Sequence, residues 1–241
     1  MKDYKRVPFI HMNNCRDLGG YACENGGFFR YHRLYRSDAP CQMSDAEWEQ
    51  VLDMGVRTVI DLRSLSEQQH MPYEVPKQIT RISVPLMREE IQLNNEASMQ
   101  ESALQAFSKS MEESYYKIVK ESPQKLVSAL KEVAQGLEKG AVLYHCSVGK
   151  DRTGILSAFI YLICGVDKMD IVADYQITET YLSQNPVIAS LPDSIKGLTK
   201  SDPQTMKSFL EKIETEDLFG MLYDSGLTQK DIKIIQEKCV E

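Results

Sequence analysis

Residues 141–164 read AVLYHCSVGKDRTGILSAFIYLIC. Ala141 to His145 is an apolar run of strand length, and Thr153 to Cys164 is apolar nearly all round, the mark of a buried helix. A tight polar loop joins them, and a strand feeding a helix through such a loop is half of a βαβ unit. The pattern repeats outward. Val56–Leu62 (VRTVIDL) and Ile79–Leu86 (ITRISVPL) read as β-branched strands. The capping box Ser44-Asp-Ala-Glu47 opens a helix through Leu52, with Gly55 as its stop. Residues 96–139 hold two helical stretches divided near Ser122-Pro123, the second with apolar Leu126, Leu130, Val133 and Leu137. Asp167 caps a helix reaching Leu182, and Thr228 with Asp231 caps the last one. The stripe Met99, Leu104, Phe107, Met111, Tyr115 and Ile118 reads as core or as a lid, and 184–204 as an irregular stretch. Strands alternating with helices predict an α/β fold, with a mostly parallel central sheet flanked by helices and ligands held at the carboxyl ends of its strands.

At 241 residues the chain has the size of one domain, expected to span 1–241, and no repeat or linker divides it. Its 42% hydrophobic and 26% charged residues are an ordinary globular balance, which excludes a disordered or fibrous chain. The net charge of −7 makes it a poor generic ligand for nucleic acid or anionic lipid. No apolar run nears the ~20 residues that span a bilayer, so no stable membrane insertion is expected. Residues 1–14 hold no apolar core of signal-peptide length, so a cytoplasmic location is expected. The six cysteines, at 15, 23, 41, 146, 164 and 239, form no Cys-x-x-Cys pair and no zinc-ligand spacing. They are expected to be free thiols, and no metal or other cofactor is implied.

One cysteine is more than filler. Cys146 and Arg152 are separated by five residues, between strand end and helix start. Such a turn gathers backbone N–H groups at a helix's positive end, an anion site before any side chain counts. Ser147, Val148, Gly149, Lys150, Asp151 and Arg152 are therefore the phosphate-binding set. Gly149 lets the backbone bend, and Arg152 adds a planar fork for two phosphate oxygens. Positive potential there favours the Cys146 thiolate, which is placed for attack on phosphorus to give a phosphocysteine. Thr153 can donate to that thiolate as it leaves, and His145 precedes the nucleophile as a supporting residue.

HCSVGKDRTG resembles the phosphate loop of cysteine-dependent tyrosine phosphatases, and its Lys-Asp before the Arg is similar to the bacterial atypical tyrosine and phosphoinositide phosphatases. Asn14-Cys-Arg-Asp-Leu-Gly-Gly-Tyr21, Leu34-Tyr-Arg-Ser-Asp38, Val59-Ile-Asp-Leu-Arg63 and Asp174-Tyr-Gln-Ile-Thr-Glu-Thr-Tyr181 match the same branch. The resemblance implies a cysteine-phosphatase sandwich, no metal cofactor, and phosphotyrosine proteins or phosphoinositides as substrates. The mobile Trp-Pro-Asp acid loop of the eukaryotic enzymes is absent, since the only tryptophan, Trp48, sits in Glu47-Trp48-Glu49. Leu191-Pro192-Asp193 falls after the phosphate loop, where the family does not place its acid.

Asp151 beside the phosphate is the leading general acid, its alternative being a helix cap or a partner for Lys150. Lys150 is either a solvated charge or a contact for further substrate phosphates. Asp61, at a strand end, is the reserve acid, or an ordinary carboxylate paired with Arg63. Arg16-Asp17 reads as a structural salt bridge and turn. The chain is thus expected to be a phosphomonoester hydrolase. Its rivals are a phosphate-dependent binding module and arsenate-reductase or rhodanese-like thiol chemistry on the same loop.

Overall fold

The computed structural model describes residues 3–24, 26–86, 113–183 and 200–241. Five strands form one sheet: β1 (Arg16–Asp17), β2 (Leu34–Ser37), β3 (Val56–Asp61), β4 (Thr80–Ser83) and β5 (Ala141–His145), in the order β1-β2-β5-β3-β4. Only the β1–β2 pair is antiparallel. The register aligns the strand ends, with Ser37 and Asp61 both opposite His145 and Ser83 opposite Asp61. The carboxyl edge of the sheet is therefore one row, and the loop after β5 leaves from its middle.

The described helices are α1 (Asp45–Asp53), α2 (Leu65–His70), α3 (113–121), α4 (Pro123–Lys139), α5 (Asp151–Ile163), α6 (Lys168–Leu182), α7 (Pro203–Thr215), α8 (Leu218–Asp224) and α9 (Gln229–Cys239). Strand periodicity sorts two cores. On β5, Val142 and Tyr144 face the larger core with Leu130, Val133, Phe159 and Ile235, while Ala141 and Leu143 face the smaller one with Val51, Trp48, Val59 and Met12. Helix α5 is apolar all round because it is enclosed, packing against β5, α4, α6 and α9. At its start, a side chain on Gly154 would press on the Tyr175 ring of α6, at 3.3 Å.

The caps read from sequence form. Ser44–Glu47 and Thr228–Asp231 are complete capping boxes, the Asp167 side chain accepts from the Met169 amide, and Gly55 stands at φ +81. Four expectations are corrected. The strand expected over Ile79–Leu86 shortens to β4 because Pro85 carries no N–H. The chain still runs beside β3's extension, with Val84 N–H donating to Asp61 O at 2.9 Å and Leu86 N–H to Leu62 O at 3.1 Å. The stretch expected to be irregular to residue 204 ends earlier, because Asp202 caps α7 and Pro203 sits in its first turn. Helices α2, α7 and α8 and strands β1 and β2 were not expected from the sequence. The supposed Arg16–Asp17 bridge is not made. Asp17 instead accepts from the Gly19 and His32 amides, both at 2.7 Å, and makes the turn expected there. The lid-or-core stripe from Met99 to Met111, the helix start near 96 and Leu191-Pro192-Asp193 lie outside the described residues.

Candidate active site

Cys146 sits at the foot of the loop, 1% exposed. Gly149 takes φ +72, and a side chain there would collide with the Ser37 carbonyl, so the turn passes tight over the end of β2. The amides of Ser147, Val148, Gly149 and Asp151 donate to no group among the described residues. Four N–H groups that no described residue claims, in one short turn at a helix N-terminus, have the arrangement an anion would need.

The outward carbonyls of the loop are pinned from behind. Asn14 Nδ2 donates to Val148 O at 2.9 Å and Gly149 O at 3.1 Å, and Arg36 donates to Gly149 O at 2.9 Å. Both belong to a buried network centred on Asp174. Arg16 reaches that carboxylate at 3.2 Å and Asn14 Oδ1 at 2.6 Å, and Arg36 reaches the carboxylate at 2.8 Å. Burial pushes the Asp174 carboxyl up, but the two guanidinium groups outweigh it and hold it down at about 2.

On the open side, Arg152 folds back onto the loop. Its terminal nitrogens grip the Glu67 carboxylate at 2.6 and 2.8 Å, and one also reaches Ser147 Oγ at 3.2 Å. Ser147 Oγ–H itself donates to Glu67. Burial raises the Glu67 carboxyl, yet Arg152 and Ser147 hold it well below the usual range. Glu67 was not singled out from the sequence. Ser64-x-x-Glu67 carries the same capping-box signal as Ser44-x-x-Glu47, but no local pattern gives its reach across 85 residues to Arg152.

The other named residues fall into place. His145 is fully buried, and burial lowers it to about 4, so it is neutral at pH 7. The network assigns its tautomer. Nδ1–H donates to Cys146 O at 2.9 Å, and Nε2 accepts from Tyr73 Oη–H at 2.6 Å. Asp61 is wholly enclosed, its carboxylate gripped by Arg63 at 3.0 and 2.8 Å and by Arg81 at 2.8 Å. Burial raises its carboxyl, and the Arg63 bonds outweigh that and lower it. Held ionised and away from the opening, Asp61 supports the fold and has no proton to give. Lys150 is not a solvated charge. It is 1% exposed, with Nζ 3.2 Å from Lys200 O and 3.5 Å from Asp151 Oδ1. The Asp151 side chain is 31% exposed and accepts from Tyr115 Oη–H at 2.5 Å. Thr153 Oγ1 is buried without a hydrogen-bond partner among the described residues, which leaves its donor unclaimed there. Beside Ser147 and Glu67 opens a cleft of about 580 Å³, lined in part by Ala39, Cys41, Met71 and Leu182. The described residues hold no helix long and apolar enough to cross a membrane.

A mostly parallel sheet whose middle strand delivers Cys-x5-Arg into a buried helix has the architecture of the cysteine phosphatases. Residues 7–241 match the model of the tyrosine phosphatase family, and the chain belongs to that family. It is similar to the Cupriavidus necator protein named "Putative tyrosine-protein phosphatase H16_A0669", 28% identical over 170 residues, 70% of this chain and 61% of that one. A tyrosine-protein phosphatase of Nostoc commune is 29% identical over 149 residues, 60% of this chain and 48% of that one. The chain thus spans about half to three-fifths of the length of these relatives. Among solved structures, P. aeruginosa TpbA aligns with TM-score 0.41 and 15% identity over 82% of this chain and 90% of that one.

Proposed function

We propose that the chain is a metal-independent phosphomonoester hydrolase, acting as one catalytic unit on phosphotyrosine. The observation that carries this reading is the turn itself: four amides that no described residue claims follow the buried Cys146, with the Arg152 fork on the open side in the grip of Glu67. The amides and guanidinium bind the phosphoryl oxygens and stabilise the charge that spreads over them in the transition state. The Cys146 thiolate attacks phosphorus in line, the S–P bond forms as the P–O bond to the leaving group breaks, and Asp151 gives its proton to the departing oxygen. Water then cleaves the phosphocysteine, with Asp151 taking a proton back and Thr153 donating to the thiolate that leaves.

The depth of Cys146 supports an aromatic phosphomonoester, whose flat ring reaches farther than a serine methylene. The buried Lys150 ammonium is turned to Lys200 O and Asp151, which does not favour it as a contact for the extra phosphates of a phosphoinositide. Turnover of p-nitrophenyl phosphate in EDTA tests the reading. Cys146→Ser is expected to abolish it while inorganic phosphate still binds, because the cradle is backbone and arginine. Turnover that survives in that variant, or that EDTA removes, rules the mechanism out. A binding module would show phosphate affinity without turnover in the wild type.

A further inference from the structure

Behind the Asp151 carboxylate lie two tyrosines that the mechanism above does not use. Tyr115 on α3 and Tyr175 on α6 are each 1% exposed, and their rings meet edge to face at 6.3 Å. Tyr115 Oη lies 2.5 Å from Asp151 Oδ1 and 2.9 Å from Tyr175 Oη. A carboxylate only accepts, so Tyr115 Oη–H donates to Asp151 and its own oxygen accepts from Tyr175 Oη–H. Burial, and after it the Asp151 charge, pushes the Tyr115 hydroxyl well above its usual range, and burial raises Tyr175 as well, so both stay protonated. The Phe209 ring of α7 packs on Tyr115 at 5.6 Å and closes the chain of hydroxyls from behind.

The geometry points to Tyr115 and Tyr175 as positioning residues for proton transfer by Asp151. This rests on the phosphatase reading above and deepens it. Oδ1 of Asp151 receives Tyr115 Oη–H and faces the Lys150 ammonium at 3.5 Å, so Oδ2 is the oxygen left to carry the transferable proton. Fixing Oδ1 sets the direction of Oδ2. The same donors hold Oδ1 in place while Oδ2 gives up its proton. The groups facing this relay are Lys150 and Arg152 beside Asp151, and Arg36 and Asp202 beside Tyr175.

The test compares kcat/KM of the full chain on phenyl phosphate, a poor leaving group, and on 2,4-dinitrophenyl phosphate, whose leaving group needs no proton. Tyr115→Phe is expected to slow phenyl phosphate about tenfold, as fits loss of a hydrogen bond to a charged group. The dinitrophenyl ester should change by less than about twofold, and inhibition by inorganic phosphate should hold. Adding Tyr115→Phe to Asp151→Asn should cost nothing further on phenyl phosphate. Equal slowing of both esters, or additive losses in the double variant, would overturn the inference while leaving the phosphatase reading intact. A wild-type chain without Cys146-dependent turnover would overturn both. Should Tyr115→Phe fail to fold, Tyr175→Phe makes the same comparison with a smaller effect in the same direction.

Discussion

The phosphate loop is held between two arginine–carboxylate clusters of the same chemistry and opposite accessibility. Behind it, Arg16 and Arg36 close on Asp174 with side chains 0%, 1% and 1% exposed. In front, Arg152 closes on Glu67 with side chains 13% and 34% exposed. The rear cluster has no water to fall back on, so removing one member strands buried charge, and it can only hold its shape. The front pair is wet enough to exchange partners, and an arriving phosphate offers Arg152 the same two-oxygen fork as Glu67. Burial, not residue type, separates the pair that can only hold its shape from the pair that can exchange.

Asp174→Ala breaks the rear cluster and carries the largest expected effect. Two buried guanidinium groups lose their counter-charge, at about 3–5 kcal/mol, which in a chain of this size lowers Tm by roughly 6–20 °C. The sign with pH follows from the lowered Asp174 carboxyl, about 2 against an ordinary 3.8. Its contribution is complete above the ordinary value and is lost as pH falls through about 4 towards 2. The Tm gap between wild type and variant should therefore narrow over that interval. A gap that stays constant down to pH 2 would show that Asp174 is not the charge holding the two arginines.

Arg152→Lys reverses the balance between fold and function. Charge survives and the two-pronged grip does not, so kcat/KM should fall on the order of 10²-fold. Tm should move by no more than about 2–4 °C, because the pair it leaves is partly exposed. If Tm falls as far as in Asp174→Ala, the front pair is structural too and the contrast fails.

The front of the site was legible in the sequence because its parts are contiguous. Strand, Cys-x5-Arg turn and enclosed helix all lie within 141–164, and Gly149 and Gly154 announce the close approaches. The rear was visible only as unexplained motifs. Arg16 and Asp174 stand 158 residues apart, and nothing local says that the arginine passes over neighbouring Asp17 to find its partner. Asp61 looked like an acid because strand ends in parallel sheets hold ligands. Arg81, 20 residues on, supplies the second cation that encloses it, and only the β3–β4 pairing brings it there. Helix α2 could have been found from its capping box, but its six residues hold no buried apolar face for periodicity to detect.

The smallest expected effect decides what the front pair is for. Glu67 either aims Arg152 at phosphate or competes with phosphate for it, and Glu67→Gln separates the two because the amide keeps the shape and one acceptor while losing the charge. With Glu67 ionised, a phosphate dianion in the cradle meets a carboxylate already gripping both terminal nitrogens of Arg152 and accepting from Ser147 Oγ–H. Competition predicts that inorganic phosphate inhibits the Gln variant several-fold more tightly, as fits removing about 1 kcal/mol of partly screened repulsion. The gain should shrink as added salt screens the repulsion in the wild type. Aiming predicts the reverse. Phosphate would bind the variant more weakly at every ionic strength, since a loosened fork loses the orientation that makes two bonds better than one. Because Glu67 also accepts the Ser64 amide at 2.8 Å, which an amide oxygen can still do, the α2 cap survives either way. The sign of the change in phosphate inhibition then reports on Arg152 and not on a frayed helix.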